Sequence, residues 1–198
     1  SRNLRNNLKN NGVEYIITYF DESIQKKEDK YGLLHEEDHY QELLPLIKLV
    51  NTDETLAVIT KSQYQRYSPS ILYKNDNELN NAIQSGRWVE LSCGKYRNNI
   101  FPAEAALVSD IVIGHFGGAT AGLEAAMAGR RSILLNPYNF NGANYRIFKQ
   151  VDILYTDMSA ALNAISLFRQ KNPESKNLGD WSPIIDLFDQ YRDGNSSV

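Results

Sequence analysis

The chain has 198 residues, of which 42% are hydrophobic and 23% are charged, and its formal net charge at pH 7 is −3. This length and apolar content suffice for one sizeable core, so we expect one domain. The small negative charge provides no broad basic surface, which argues against nucleic acid as a partner. No apolar run approaches the roughly 20 residues of a membrane span, and no signal peptide is recognisable, so we expect no transmembrane segment.

The chain contains one cysteine, Cys93. A single cysteine cannot form an internal disulfide and is typical of a reducing compartment, so we expect a cytoplasmic location. The chain begins at Ser1 rather than at a methionine, so we expect it to be a fragment or a trimmed form of a longer protein.

The first predicted elements are a strand and a long helix. Residues 1–12 are polar and rich in asparagine, and we expect them to form a lead-in or linker. Residues 13–20 are β-branched and aromatic, which predicts a strand. The charged residues 21–34 predict an exposed loop, and the apolar spacing over residues 36–50 predicts a helix that Pro45 bends.

Four further elements follow along the chain. Residues 55–60 predict a second strand, and residues 76–85 predict a short helix ended by Gly86. Residues 88–92 predict a third strand, and residues 103–108 predict a helix with a proline at its first turn. Strands and helices therefore alternate along this part of the chain.

The most informative pattern is a glycine pair between a buried strand and a helix. Residues 110–114 predict a strand covered on both faces, residues 119–128 a helix, and residues 132–135 another buried strand. The free N–H groups and the positive dipole end at the helix start suit a phosphate, which glycine allows to approach closely. The same pattern also fits a tight turn that binds nothing. The predicted phosphate contacts are Gly117, Gly118, Ala119 and Thr120.

The last third of the chain continues the alternation. Residues 143–149 predict a helix, residues 151–155 a strand and residues 159–168 a helix. Residues 179–192 are amphipathic, which predicts a helix. We expect residues 193–198 to be a disordered tail.

The regular alternation of strands and helices predicts the fold class. It is typical of an α/β, Rossmann-like doubly wound parallel sheet, here of about six strands. The domain is predicted to span residues 13–192. The chain shows no internal repeat.

Glu124 adds a second feature to the glycine turn. It lies six residues after Gly118, in the second turn of the predicted helix, and its side chain leans back toward the helix start. A carboxylate at that position accepts hydrogen bonds from a ribose diol while the helix start holds a diphosphate. The pattern therefore predicts a nucleotide site.

This region resembles the donor-binding half of GT-B glycosyltransferases that assemble bacterial surface polysaccharides. The shared features are Gly118, Glu124, the pair Ala125-Ala126, Gly129 and an apolar strand that ends in Asn136-Pro137. The resemblance implies that a nucleotide-sugar is the donor substrate, that its diphosphate lies beside Gly118 and that Glu124 binds the ribose. It also implies that transfer needs neither an essential metal nor a cofactor.

Four further residues complete the predicted site. Asn144 aligns with a glutamine that binds sugar hydroxyls in the family, or belongs to an ordinary exposed loop. Phe101 precedes the helix that lines the base pocket in the family. His115 lies nine residues before Glu124 and either contacts the donor or is a strand-end residue whose polar atoms bond to the backbone. Lys61 ends the second strand, where its charge either neutralises a diphosphate or is solvated.

The resemblance also implies partners. The acceptor, a glycan or a lipid-linked glycan, and any catalytic base belong to an N-terminal half that this chain is expected to lack. The last helix of such enzymes commonly crosses to that half, so residues 179–192 either form this crossing helix or close their own domain. We therefore expect the chain to bind a nucleotide-sugar and to be inactive alone, in the cytoplasm or at the inner face of the membrane. Two alternatives stay open. One is a nucleotide-sugar 2-epimerase or polyol-phosphate transferase domain on the same scaffold, and the other is a non-catalytic α/β module.

Two histidines are spaced as metal ligands often are. His35 and His39 are four residues apart, a spacing that can bind a metal ion. No third ligand accompanies them, and the acidic residues 36–38 are typical of a helix N-terminus. We therefore predict no metal site.

Overall fold

The structure is a computed structural model that describes residues 2–21, 24–25, 34–91, 100–142 and 144–188. The predicted tail at residues 193–198 and most of the predicted charged loop at residues 21–34 lie outside these ranges. Strands and helices alternate through the described ranges, as the sequence predicts.

Six strands form one parallel sheet, and two very short strands form a second. In chain order the strands are β1 (Tyr15–Phe20), β2 (Ile24–Gln25), β3 (Leu34–His35), β4 (Leu56–Lys61), β5 (Trp88–Glu90), β6 (Ile111–His115), β7 (Arg131–Leu135) and β8 (Leu154–Tyr155). β2 pairs with β3, and the main sheet has the order β5-β4-β1-β6-β7-β8 with all neighbours parallel. This is the strand order of a Rossmann-like doubly wound sheet, which starts at the centre and builds first one edge and then the other. The predicted fold class is confirmed.

Helices cover both faces of the main sheet. In chain order they are α1 (Arg2–Asn10), α2 (Glu36–Thr52), α3 (Pro69–Leu72), α4 (Asn77–Gln84), α5 (Pro102–Ala106), α6 (Thr120–Met127), α7 (Tyr145–Phe148) and α8 (Met158–Arg169). The helices α2, α4 and α8 pack on the face that carries Ile17 and Val58, and α1, α5 and α6 pack on the face that carries Ile16 and Ile59. Because both faces are buried, the central strands are nearly continuous apolar runs. None of the helices in the described ranges is long and apolar enough to cross a membrane.

Residues 2–10 form a helix that packs on the domain, which differs from the predicted lead-in or linker. Leu8 is 3% exposed and joins the core beside Ile16. Arg5 pairs with Asp110 at 2.5 Å, and Asp110 accepts a hydrogen bond of 2.9 Å from the backbone N–H of Ile16. A short polar helix of this kind is stabilised by tertiary packing rather than by its own propensity, so its composition alone indicated a linker.

Residues 179–188 do not form the predicted amphipathic α-helix and contain turns and a short 3-10 helix, Ile185–Leu187, instead. Pro183 removes one backbone donor that a helix would need. Trp181 is 3% exposed, its Nε1–H donates to the carbonyl of Ser132 at 2.7 Å, and its ring packs on Phe148. The described part of the segment therefore packs on its own domain, which was one of the two alternatives.

Two predicted elements near α7 are shorter than the sequence suggested. The strand predicted over residues 151–155 is limited to Leu154–Tyr155. The N–H groups of Val151 and Ile153 form turn hydrogen bonds rather than ladder bonds, at 3.3 and 2.9 Å. The helix predicted over residues 143–149 contains one turn, α7.

Candidate functional site

A cavity of about 350 Å³ lies at the carboxyl ends of the central strands. Its walls come from the ends of β1, β4 and β6, from the start of α6 and from the segment that leads into α5. The connections that follow β1 and β6 lead to opposite edges of the sheet, and doubly wound proteins bind ligands at such a switch point. The charged and titratable side chains among the described lining residues are Asp21, Lys61, His115 and Glu124.

The glycine turn places the start of α6 at this cavity. Gly118, Thr120 and Ala121 line it. The described glycines with a positive φ are elsewhere in the chain, so the turn does not need glycine for its backbone conformation. The first N–H groups of a helix have no partner within the helix and point outward. A glycine beside them has no side chain, so a ligand can approach these N–H groups closely.

Gly122 holds α6 close to the sheet, and the sequence analysis missed it. A Cβ at this position would lie 2.6 Å from Cδ2 of the buried Leu134. Only glycine therefore fits without a shift of helix or core. The dinucleotide-binding fold uses a glycine for close helix–strand packing in the same way, and the spacing of Gly118 and Gly122 was the signal that could have found it.

Glu124 is half-buried and lines the cavity from the second turn of α6. Its carboxylate has no hydrogen bond or ion pair with any residue in the described ranges. The helix start and this acceptor therefore face one cavity from a single β-α unit.

Lys61 brings a positive charge to the same cavity. It is 9% exposed, and its Nζ donates to the carbonyl of Ser62 at 3.3 Å. Among the described residues that line the cavity, it is the one lysine or arginine. Its burial corrects the alternative that this strand-end lysine is simply solvated.

His115 ends β6, lines the cavity and pairs with an acid on α2. Its Nε2 lies 2.7 Å from Oε2 of Glu42, and the hydroxyl of Tyr19 donates to the same oxygen at 2.8 Å. Because a carboxylate accepts, the Nε2 of His115 carries the proton of this bond. The sequence alternative of a histidine bonded only to the backbone therefore does not hold, because Nε2 of His115 bonds to a side-chain carboxylate 73 residues away.

Asp21, which the sequence analysis assigned to the charged loop, lies in the cavity wall. Its side chain is 3% exposed. Oδ1 accepts a hydrogen bond of 3.2 Å from the backbone N–H of Gln63, and the Ser62 hydroxyl also bonds to the carboxyl group. Burial outweighs these bonds and raises the pKa of Asp21 to about 7. A carboxyl residue directly after a buried parallel strand was the signal that could have found it.

His39 lies behind Asp21 in the core. It is fully buried, and its Nε2 is 3.7 Å from Oδ2 of Asp21. Burial lowers the pKa of His39 to about 3, so the ring is neutral at pH 7. Its Nδ1 lies 2.8 Å from the hydroxyl of Tyr73. In the described ranges, no group of three or more His, Cys, Asp and Glu side chains is arranged to hold a metal ion.

Four predicted site residues are not among the residues that line the cavity. Gly117 and Ala119 belong to the turn before α6. Phe101 is 60% exposed, and its chain neighbours Ile100 and Pro102 line the cavity. Asn144 is exposed at the start of α7.

Two other cavities have larger volumes, about 540 and 710 Å³. They adjoin Tyr15 and Arg131, which begin β1 and β7, and so lie toward the amino ends of the strands. Ligands of doubly wound domains bind at the opposite edge. The smaller cavity is therefore the candidate site, because it combines a helix start with several charged groups.

The fold and the site together define a Rossmann-like α/β domain with a charged cavity at its switch point. In comparisons with protein-family models, curated proteins and solved structures, the chain matched none.

Proposed function

We propose that this chain is the donor-binding domain of a GT-B glycosyltransferase in bacterial surface-polysaccharide assembly, and that its switch-point cavity binds the nucleotide-sugar. One observation carries the proposal. The carboxylate of Glu124, which has no partner among the described residues, faces the same cavity as Gly118 and Thr120 at the start of α6. The cavity thus combines donors suited to a diphosphate with an acceptor suited to a ribose diol.

Each part of the donor has a counterpart in this arrangement. The diphosphate lies at the free N–H groups of α6, with the charge of Lys61 across the cavity. Glu124 accepts hydrogen bonds from the ribose hydroxyls. Negative charge that develops on the departing diphosphate is stabilised by these fixed donors, since preorganised dipoles act strongly in a site of low dielectric constant.

The acceptor and any catalytic base are proposed to come from a separate domain. We expect the 198-residue chain to bind the nucleotide-sugar without appreciable transfer. The proposed location is the cytoplasm or the inner face of the membrane, where such donors meet lipid-linked acceptors. The catalytic role thus belongs to the two domains together.

A ligand panel tests the proposal. Thermal unfolding is measured with UDP, GDP, CDP and CMP and with their sugars, and calorimetry follows on the best ligand. A ligand at a hundred times its Kd stabilises the folded state by about 2.7 kcal/mol. We expect one base to raise the Tm clearly above the others. If no member of the panel raises the Tm at millimolar concentration, the nucleotide site is wrong and the non-catalytic module is favoured.

Product analysis separates the enzyme alternatives. The chain is incubated with the nucleotide-sugar that binds best, and the sugar is analysed after hydrolysis. Unchanged sugar agrees with a donor-binding domain. Conversion to the 2-epimer, or preferential binding of a nucleotide-linked polyol, favours the alternative enzymes on this scaffold.

A further inference from the structure

Asp21 lines the cavity from the end of β1. β1 lies between β4 and β6 in the sheet, so Asp21 at the end of β1 sits between Lys61 and His115. Its carboxyl group is 3% exposed. A nucleotide-sugar brings a diphosphate with two negative charges into the same space. An ionised Asp21 would repel that diphosphate, and the repulsion is strong where water is excluded.

The hydrogen bonds of His39 show where its proton lies. The Tyr73 hydroxyl donates to the carbonyl of Glu36 at 2.9 Å, and a phenol has one proton to donate. The 2.8 Å bond between Tyr73 and His39 must therefore be donated by Nδ1–H. The neutral ring then presents a bare lone pair at Nε2, which lies 3.7 Å from Oδ2 of Asp21. Two lone pairs facing each other in the core favour a proton on the carboxyl oxygen.

We propose that Asp21 binds the donor diphosphate as a neutral carboxylic acid. In the empty cavity the proton of this acid points toward His39. When the donor is bound, the acid donates the proton in a hydrogen bond to a phosphate oxygen. This inference rests on the proposed function. It makes Asp21 a binding residue of the same cavity. No bond other than hydrogen bonds forms or breaks.

The surroundings of Asp21 determine how binding depends on pH. Lys61 and His115 favour the ionised carboxylate, whereas a bound diphosphate favours the neutral acid. Above pH 7 the ligand therefore binds with uptake of a proton at Asp21. In the part of the chain that the structure describes, the charged and titratable groups around Asp21 are Lys61 from β4, His115 from β6, His39 and Glu42 from α2, Tyr73 beside α3 and Glu124 from α6.

Calorimetry of the wild-type chain is the first test. The nucleotide-sugar that binds best in the panel is titrated at pH 6 to 8.5, in buffers of different ionisation enthalpy. Its phosphates do not titrate near neutral pH, unlike the terminal phosphate of a nucleoside diphosphate. We expect the affinity to fall by up to about tenfold per pH unit above pH 7, with uptake approaching one proton.

Asp21→Asn is the matched variant, because an amide of the same shape donates a hydrogen bond without a charge. We expect it to bind with an affinity independent of pH, more tightly than the wild type at pH 8.5 and without proton uptake. Glu174→Gln removes an exposed carboxylate outside the cavity and should keep the wild-type pH dependence. A purely structural role for Asp21 would not produce this pattern.

The outcomes separate the two proposals. If the wild type binds the nucleotide-sugar equally at every pH and takes up no proton, the inference about Asp21 is overturned and the nucleotide site stands. If neither the wild type nor Asp21→Asn binds any nucleotide-sugar, both proposals fall. If Asp21→Asn fails to fold, the proton count of the wild type still decides.

Discussion

Gly114 on β6 lies directly against Gly122 on α6: a Cβ built on Gly114 would come within 3.7 Å of the backbone nitrogen of Gly122. Two facing glycines let the helix pack closely on the strand. The close packing fixes where α6 begins, at the carboxyl end of β6 and beside the cavity. The position of the proposed phosphate site therefore depends on two residues that need not touch the phosphate.

The two glycines predict different costs of substitution. Gly122→Ala forces a Cβ against Leu134, whereas Gly114→Ala meets its neighbours at ordinary contact distances. We expect Gly122→Ala to lower the free energy of unfolding by about 1–2 kcal/mol net of the better helix propensity of alanine, and Gly114→Ala to cost less. Urea unfolding of both variants measures this. Equal costs would contradict the packing role of Gly122.

Glu124→Ala is expected to weaken nucleotide-sugar binding by about 1.5–3 kcal/mol, because charge-assisted hydrogen bonds to the ribose are lost. The fold should persist, since the carboxylate has no partner among the described residues. Calorimetry gives the affinity and thermal unfolding gives the stability. Glu174→Ala removes an exposed acid elsewhere and should bind normally. An unchanged affinity for Glu124→Ala would remove this residue from the site.

Gly118→Val is expected to abolish nucleotide-sugar binding, because it places branched bulk where the phosphate approaches. Gly118 does not have a positive φ, so the variant should fold. Gly142→Ala is the matched control, since its Cβ would meet only the ring edge of Phe116 at 4.0 Å. Normal binding by a folded Gly118→Val protein would contradict the phosphate turn.

Asp21 and His39 should make opposite contributions to the pH dependence of stability. The folded pKa of Asp21, about 7, lies above its ordinary value of 3.8, so the folded state binds more protons between about pH 4 and 7 and stability falls as the pH rises. The folded pKa of His39, about 3, lies below its ordinary value of 6.5, so its contribution rises with pH over about pH 3 to 6.5. In the wild type the two slopes largely cancel between about pH 4 and 6.5.

Single substitutions should expose each slope. Stability of Asp21→Asn should rise with pH up to about 6.5, by as much as about 1.4 kcal/mol per pH unit. Stability of His39→Asn, which keeps a donor for Tyr73, should fall over the same interval. Urea unfolding between pH 4 and 8 measures both, and the same profile in all three proteins would contradict the burial of these groups.

The fold was predictable because its main determinants are local. β1, β4, β6 and β7 lie close to the predicted ranges, since strands buried on both faces are apolar runs that need no partner to be recognised. Helix α1 was not predicted, because its sequence is polar and its stability comes from Leu8 in the core and from the ion pair of Arg5.

Only part of the candidate site was predictable from local sequence. Gly118, Thr120 and Glu124 belong to one β-α unit, so their spacing along the chain places them on one cavity. Phe101 and Asn144 were assigned through the resemblance, and neither lines that cavity. Their assignments remain predictions.

The sequence by itself determined the alternation of strands and helices, the glycine turn and the acid that follows it, because each of these features depends on a few consecutive residues. Only the tertiary structure decided that Asp21 faces His39 and that His115 pairs with Glu42. These contacts depend on which strands become neighbours at the switch point and on which helix covers them. The protonation state of the Asp21 carboxyl group depends on its burial and on neighbours that are distant in the chain. Neither the burial nor these neighbours can be predicted from the residues next to Asp21 in the sequence.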